Sequence, residues 1–354
     1  MQPTFAVFLQ AVQARVEADL EARLRAESQR VERDAPELAP LVAQVRDLTA
    51  RGGKRLRAAL VLLGYRIATA SETDDVALPA ASAMELLQSY FLIHDDWMDD
   101  DPVRRGGPSV HVALRARYGS DKLGDSGAIL AGDYAVSLAQ QALLECAVPV
   151  SDLLGAGRTF AELQRDVVLG QALDVLVDSP TGDRGLSRLM ARTHLWKTAA
   201  YTTTGPLLVG ARLGGANEEL LGGLRAYGDP LGIAFQLRDD WLGTFGAPED
   251  TGKSNESDLL QGKKTAVLAA LEDDASHAAA LTEFLRGGAG RERSAAEVAS
   301  MRARLVEGDI DARVVSAVAT ESERARAALR SLVLPATARG WLDELVALVA
   351  ERRA

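Results

Sequence analysis

Seventeen residues constrain this chain more than any others. The stretch Glu85-Leu-Leu-Gln-Ser-Tyr-Phe-Leu-Ile-His-Asp-Asp-Trp-Met-Asp-Asp-Asp101 opens with helical periodicity and closes with five aspartates in seven positions. Leu87, Phe91, Asp95 and Asp99 recur at i, i+4 on one face. Pro102 disfavours helix at Asp101 and sets the helix end there. Carboxylates at i, i+4 repel, and the C-terminal end of a helix carries partial negative charge, so this placement calls for a cationic partner. Oxygen-only donors that leave room for waters and phosphate oxygens suit Mg²⁺. A solvated acidic helix end is the bland alternative. Against it stand Arg104-Arg105 just downstream and a second occurrence of the pattern.

That second occurrence is Gly232-Ile-Ala-Phe-Gln-Leu-Arg-Asp-Asp-Trp-Leu-Gly243, an apolar helix again ending in paired aspartates, Asp239-Asp240, with glycine and proline following. Two such pairs 144 residues apart can face each other across a cavity. The cations fall in a few places. Arg51-Gly-Gly-Lys-Arg-Leu-Arg57 sets a glycine pair before Lys54 and Arg57, where backbone amides at a helix start can cradle an anion. Lys197 and Thr198 begin a small-residue helix running to Gly205-Pro206, and Lys253 and Lys263 flank a loop containing Asp258. The chain has six lysines among 40 basic residues, and five of the six, Lys54, Lys197, Lys253, Lys263 and the adjacent Lys264, lie in or beside these segments. Lysine is a compact charge on a flexible stem, suited to phosphate oxygens.

Composition narrows the fold. Hydrophobic residues make up 47% and aromatics 5%, Ala and Leu dominate, and β-branched residues are sparse, which favours helix. The net charge of −10 argues against general nucleic-acid binding. A single cysteine, Cys146, excludes an intramolecular disulfide and reads as a small core residue. The start lacks a basic n-region, and no apolar run reaches the roughly 18 residues of a membrane span, so a cytoplasmic protein is expected. No linker, repeat, dinucleotide fingerprint, Walker loop or zinc-ligand spacing is present, and His194 and His277 read as ordinary. One domain over residues 1–354 is expected. Carboxylates bind phosphates only through a metal, while Lys and Arg take the remaining oxygens. The implied substrate has a polyphosphate head and an apolar tail lying along the helices.

The motifs resemble those of the trans-isoprenyl diphosphate synthases, the polyprenyl synthetase family. The matching stretches are Gly52-Gly-Lys-Arg-Leu-Arg57, Asp95-Asp-Trp-Met-Asp99 with Arg104-Arg105, Gly170-Gln-Ala-Leu-Asp174, Lys197-Thr198, Phe235-Gln-Leu-Arg-Asp-Asp240, and Gly252-Lys253 with Gly262-Lys263. The resemblance implies an all-α fold, a single large bundle of mostly antiparallel helices around a deep central cavity, and a homodimer. It implies that Asp95, Asp99 and Asp239 ligate Mg²⁺, three ions with substrate bound, supported by Asp96 and Asp240. It assigns the allylic diphosphate to Arg104, Lys197, Thr198, Gln236, Lys253 and Lys263, and isopentenyl diphosphate to Lys54, Arg57, Gln88 and Arg105. The implied reaction ionises the allylic diphosphate, condenses the cation with isopentenyl diphosphate and loses a proton.

Two departures stand out. Gly243 replaces the third aspartate of the second motif, and the loop between Lys253 and Asp258 is a residue longer than in some relatives. Product length follows from Phe91, one turn or roughly 6 Å below Asp95, with Tyr90 beside it. Two aromatics there make a floor that stops the tail early, as in farnesyl (C15) synthases; geranylgeranyl (C20) is the alternative. A class I terpene cyclase shares the fold and the first motif, but Asp239-Asp240 with Lys253 speaks against it. A non-catalytic subunit of a heteromeric synthase would typically lack both aspartate motifs.

Overall fold

The computed structural model describes residues 3–177, 185–246, 257–272, 275–286 and 291–351. Lys253, the loop at 287–290 and the terminal Arg352-Arg353 lie outside them. In chain order the helices are α1 (Phe5–Asp34), α2 (Ala39–Ala50), α3 (Leu56–Thr69), α4 (Leu78–Met98), α5 (Val110–Tyr118), α6 (Asp121–Leu144), α7 (Val150–Val177) and α8 (Leu186–Thr193). A π-helical segment, His194–Thr204, leads into α9 (Gly205–Leu213) and α10 (Glu218–Phe245). Six more follow: α11 (Ser257–Gln261), α12 (Ala266–Ala269), α13 (Ala275–Leu285), α14 (Ala295–Glu307), α15 (Ile310–Ser331) and α16 (Ala336–Ala350). The fold is all-α, and among the described residues the sole sheet is a hairpin of β1 (Val103–Arg104) with β2 (Gly107–Pro108). Contacts group the chain into two compact units, Met1–Arg158 with Pro206–Ala216, and Thr159–Gly205 with Asn217–Ala354.

In the first unit, α1 buries Phe5, Phe8, Val12, Val16, Leu20 and Leu24, a stripe at helical spacing, and packs on α2, α3 and α4. The centre is α4, buried almost all round from Ala80 to Leu87 and packed most extensively on α6. Averaged over its best window α4 is apolar and long enough to cross a membrane, although Glu85 and other polar residues break the uninterrupted run that sequence reading looks for. That window is 61% buried within the protein, as befits a core helix. Glu85 is itself buried against Arg55, whose Nη1 lies 3.0 Å from its carboxylate. Cys146 is a core residue, and burial pushes its thiol up to about 11.

In the second unit, α10 is the axis, packed on α15, on α16 and on the π segment. Tyr227 of α10 is fully buried and donates its hydroxyl to the Leu342 carbonyl at 2.7 Å. Leu259, Val267, Leu268, Leu271, Phe284, Val298 and Ile310 form the core beneath, with Trp241 and Phe245 of α10 against it. The π segment corrects the expectation of a plain α-helix from Lys197 to Gly205. It lies so close to α10 that a Cβ on Gly232 would meet the Ala199 Cα at 2.4 Å. Thr203 donates to the Gly228 carbonyl at 2.7 Å and Thr204 to the Asp229 carboxylate at 2.5 Å. The wide winding coincides with these contacts and ends before Pro206, which has no N–H to return to the preceding turn.

Candidate active site

The first acidic cluster closes α4 in a way that corrects the helix end drawn from Pro102. The helix stops at Met98, with Asp99 as its C-cap, because Asp100 takes a left-handed conformation with φ +52°. The Asp101 amide then reaches back to the Asp96 carbonyl at 2.9 Å, which ties off the last turn as a Schellman motif does, with aspartate in the place usual for glycine. The compensating cations are present. Arg104 donates Nε to Asp96 Oδ1 at 2.6 Å and Nη2 to Asp101 at 3.2 Å. Arg115 lies 3.0 Å from Asp100, and the buried His111 ring faces the same carboxylate at 3.4 Å.

Asp96 is wholly buried, and its Oδ2 has no hydrogen-bond partner. Burial raises its carboxyl above the usual range even though Arg104 works in the opposite direction. Its anchorage to Arg104 makes it a fixture of the helix end. Asp95 and Asp99, one turn apart, are oxygen donors of the kind a hard cation takes.

The hairpin carries Arg104 and Arg105. Its turn is Arg105-Gly106, with φ +51° and +73°, the left-handed pair that a two-residue hairpin requires. Arg51 clamps the hairpin, donating to the Arg104 carbonyl at 3.1 Å and the Pro108 carbonyl at 2.8 Å. Gly53, two residues after Arg51, lies against the Arg105 guanidinium. Lys54 and Arg105 are exposed beside it and Arg57 is half-buried. Arg55 turns inward to Glu85 and the Thr49 carbonyl. On α4, Gln88 is half-buried with its Oε1 enclosed and unpaired.

Tyr90 packs against two rings of its own helix, tilted on Phe91 and edge-on to His94, with ring centroids 4.8 Å and 4.7 Å apart. His94 in turn lies over α6, with Nε2 3.1 Å from the Ile129 carbonyl, in a seat left open by Gly132. Tyr90 is therefore braced by its neighbours, and Phe91 stands one turn below Asp95.

In the second unit, Asp239 and Asp240 lie inside α10, which continues to Phe245; the helix end expected at the pair is displaced. The two carboxylates differ sharply. Asp240 is buried and receives Gln236 Nε2 and the Ala266 amide, each at 2.8 Å, with His194 Nε2 at 3.3 Å. Burial opposes its ionisation, but these partners, His194 foremost, hold the carboxyl below its usual range. Gln236 also accepts from Thr198 at 2.8 Å, so Thr198, Gln236 and Asp240 form one chain of hydrogen bonds. Lys197 donates to Asp174 at 2.6 Å. The Lys263 side chain keeps accessible surface while its ammonium is enclosed. That enclosure opposes the charge, yet Asp258, Asp240 and Asp174 raise it above its usual range, against repulsion from Lys197.

The structure thus gathers Asp95, Asp96, Asp99, Gln88, Tyr90, Phe91, Lys54, Arg57, Arg104 and Arg105 in the first unit, and Lys197, Thr198, Gln236, Asp239, Asp240 and Lys263 in the second. Sequence reading gave no role to Asp174, His194 or Asp258. Asp174 was legible as part of Gly170-Gln-Ala-Leu-Asp174; nothing in the sequence pairs His194 with Asp240, 46 residues on.

The polyprenyl synthetase family model matches residues 39–301. The chain is 40% identical over 213 residues to the (2E,6E)-farnesyl diphosphate synthase of Mycobacterium tuberculosis, covering 60% of this chain and 55% of that one. It is 37% identical over 226 residues to the geranylgeranyl diphosphate synthase of Methanosarcina mazei, covering 63% and 64%. These matches therefore span less than two thirds of the relatives' length. A geranylgeranyl pyrophosphate synthase from Corynebacterium glutamicum, crystallised with isoprenyl diphosphate and magnesium, superposes with a TM-score of 0.86 at 30% identity, over 99% of this chain and 100% of that one.

Proposed function

We propose that this chain, which belongs to the polyprenyl synthetase family, condenses isopentenyl diphosphate with a short allylic diphosphate in a Mg²⁺-dependent, head-to-tail prenyl transfer. One observation carries the reading. The Asp95–Asp99 face of α4 ends within a frame of cations, Lys54, Arg104 and Arg105, whose loop and hairpin are clamped together by Arg51. The donors are oxygen-only and fit Mg²⁺; Asp95 and Asp99, with Asp239, would hold it, and Asp96 and Asp240 would brace them. Bound Mg²⁺ neutralises charge building on a departing diphosphate.

The remaining roles fall to side chains. Lys197 and Lys263 take diphosphate oxygens of the allylic substrate, with Arg104 and Lys253. Asp174 keeps Lys197 extended until substrate displaces it. Thr198 and Gln236 act through their hydrogen bonds to each other and to Asp240. Lys54, Arg57, Gln88 and Arg105 take isopentenyl diphosphate. The allylic C–O bond breaks with its electron pair leaving on the diphosphate, the isopentenyl double bond supplies the new C–C bond, and a proton is lost to the released pyrophosphate.

Phe91, backed by the braced Tyr90, favours farnesyl diphosphate as the end product. The test is end-product analysis by mass spectrometry with dimethylallyl, geranyl and farnesyl diphosphate as starters, Mg²⁺ present or chelated. Farnesyl diphosphate from wild type and longer products from Phe91→Ala are expected. A wild-type C20 product refutes the floor and keeps the reaction; no condensation from any starter refutes the reaction.

A further inference from the structure

Arg293 is only 2% exposed although it carries a full charge. Its Nε and Nη2 fork onto the Phe284 carbonyl, in the last turn of α13, at 3.2 and 3.1 Å. Its Nη1 donates to the carbonyl of Gln261, the last residue of α11, at 3.3 Å, and to the Arg291 carbonyl. The Arg293 amide adds a bond to the Leu260 carbonyl at 2.9 Å. Carbonyls in the final turn of a helix lack partners within the helix and carry partial negative charge, so a planar cation with five N–H donors is stable between two such ends. The same cation lies 5.5 Å from the centroid of the Phe284 ring.

Arg293 is anchored from behind. Ser294, next to it, closes a capping box with Glu297 at the start of α14, Arg291 pairs with Glu297 at 2.7 Å, and Val298 and Met301 of α14 lie in the core that also holds Leu259 and Phe284. In front of it runs the turn that presents Lys263, in the same unit. Gly262, at φ +62°, closes α11 as a Schellman motif: its amide reaches the Leu259 carbonyl at 3.0 Å, and the Lys263 amide reaches the Asp258 carbonyl at 2.9 Å. Gly262 lies directly against the Arg293 guanidinium. Three residues beyond Lys263, the Ala266 amide is held by Asp240 at 2.8 Å. Lys263 therefore stands between two fixed points, Gln261 on Arg293 and Ala266 on Asp240, and of these only Asp240 belongs to the acidic site. We propose that Arg293 is a positioning residue that acts through Lys263: it fixes the turn from which the ammonium reaches diphosphate oxygen, and does not touch substrate itself. A lysine at 293 could not do the same, because a single ammonium cannot fork onto one helix end while donating to the other.

The assignment rests on the prenyl-transfer reading, in which Lys263 takes oxygens of the allylic diphosphate. Steady-state kinetics in Mg²⁺ give the KM of each substrate. Binding is also read without turnover, as the rise in melting temperature of the full chain when Mg²⁺ and inorganic pyrophosphate are titrated together. Arg293→Met is expected to raise the allylic KM about ten-fold and to weaken the thermal response, leaving the isopentenyl KM within about two-fold of wild type. Arg293→Lys keeps the charge and loses the fork, and is expected to raise the allylic KM about three-fold. The deciding comparison is a double-mutant cycle. On a Lys263→Ala background, Arg293→Met should add less than about two-fold, because the residue through which it acts is gone; if Arg293→Met does not fold, the cycle is run with Arg293→Lys. A brace that served only the fold would lower the active fraction on both backgrounds alike and leave KM unmoved. Losses that multiply in the cycle, an unchanged allylic KM, equal rises in both KM values, or failure of both Arg293 variants to fold overturns the proposal. If wild type neither responds to Mg²⁺ with pyrophosphate nor forms product, the prenyl-transfer reading fails and takes this assignment with it. If wild type does both and Arg293 substitutions are silent, only the assignment fails.

Discussion

Adjacent aspartates on α10 invite the assumption that both serve a metal, and replacing each by asparagine separates them. Asp240 is buried and accepts from Gln236, from the Ala266 amide and from the buried His194. Asparagine keeps the shape but loses the charge and turns one acceptor into a donor. If its NH₂ takes the Oδ2 position it confronts the Ala266 N–H; if it takes Oδ1 it confronts the Gln236 amide, which is itself committed to Thr198. Hydrogen bonds to a charged group contribute about 1.5–3 kcal/mol each, and a buried unmatched donor costs about 1–3 kcal/mol. Losing one bond outright and the charge in the others gives a destabilisation of about 2–4 kcal/mol. The assay is guanidinium unfolding followed by far-UV circular dichroism in EDTA, where no metal can contribute. Asp240→Asn should unfold at distinctly lower denaturant, while Asp239→Asn, on the half-buried neighbour, should stay within about 1 kcal/mol of wild type yet lose the thermal response to Mg²⁺ with pyrophosphate. An Asp240→Asn protein within about 0.5 kcal/mol of wild type refutes the reasoning.

Two further outcomes follow from the described ion pairs. Arg55→Met leaves Glu85 buried without its guanidinium and the Thr49 carbonyl without its donor, and should cost about 3–5 kcal/mol in the same unfolding assay, partly recovered by adding Glu85→Gln. Glu297, drawn down to about 2 by Arg291 and the Ser294 capping box, has a folded pKa below its ordinary 4.5, so its stabilisation is complete above 4.5 and lost as pH falls from there toward 2. The stability gap between wild type and Glu297→Gln, measured by urea unfolding, should be constant at neutral pH and narrow in acid; a gap independent of pH contradicts the assignment.

Most of the helical framework was legible, because long Ala- and Leu-rich stretches with apolar residues at helical spacing have few alternatives. The first acidic cluster was legible for the same reason: five aspartates at a helix end demand cations, and Arg104 and Arg115 answer. What the sequence did not reveal was decided by tertiary geometry. Neighbouring residues on a helix point about 100° apart, and nothing in the letters Asp239-Asp240 says which one meets His194. Gly243 read as a loss, and the side chain that fills the space beside it, Asp258, comes 15 residues later on another element. Arg51-Gly-Gly-Lys-Arg-Leu-Arg57 read as a row of cations, although Arg55 was turned into the core by a left-handed backbone at φ +50°. The end of α4 was misjudged for a similar reason: Asp100, rather than Pro102, turns the chain.

The hydrogen-bond chain through Asp240 has a consequence for work done at binding. Donors converge on that carboxylate from the π segment, from α10 and from the first residue of α12; the π segment carries Lys197, and Lys263 lies three residues before Ala266. The two ammonium groups repel each other, so in a loose structure they would drift apart and an incoming dianion would have to gather them. Here their separation is set by a backbone frame nailed to one buried anion. On the proposed prenyl-transfer reading, the reorganisation needed to meet a diphosphate would be confined to exchanging the Asp174 partner of Lys197 for phosphate oxygen.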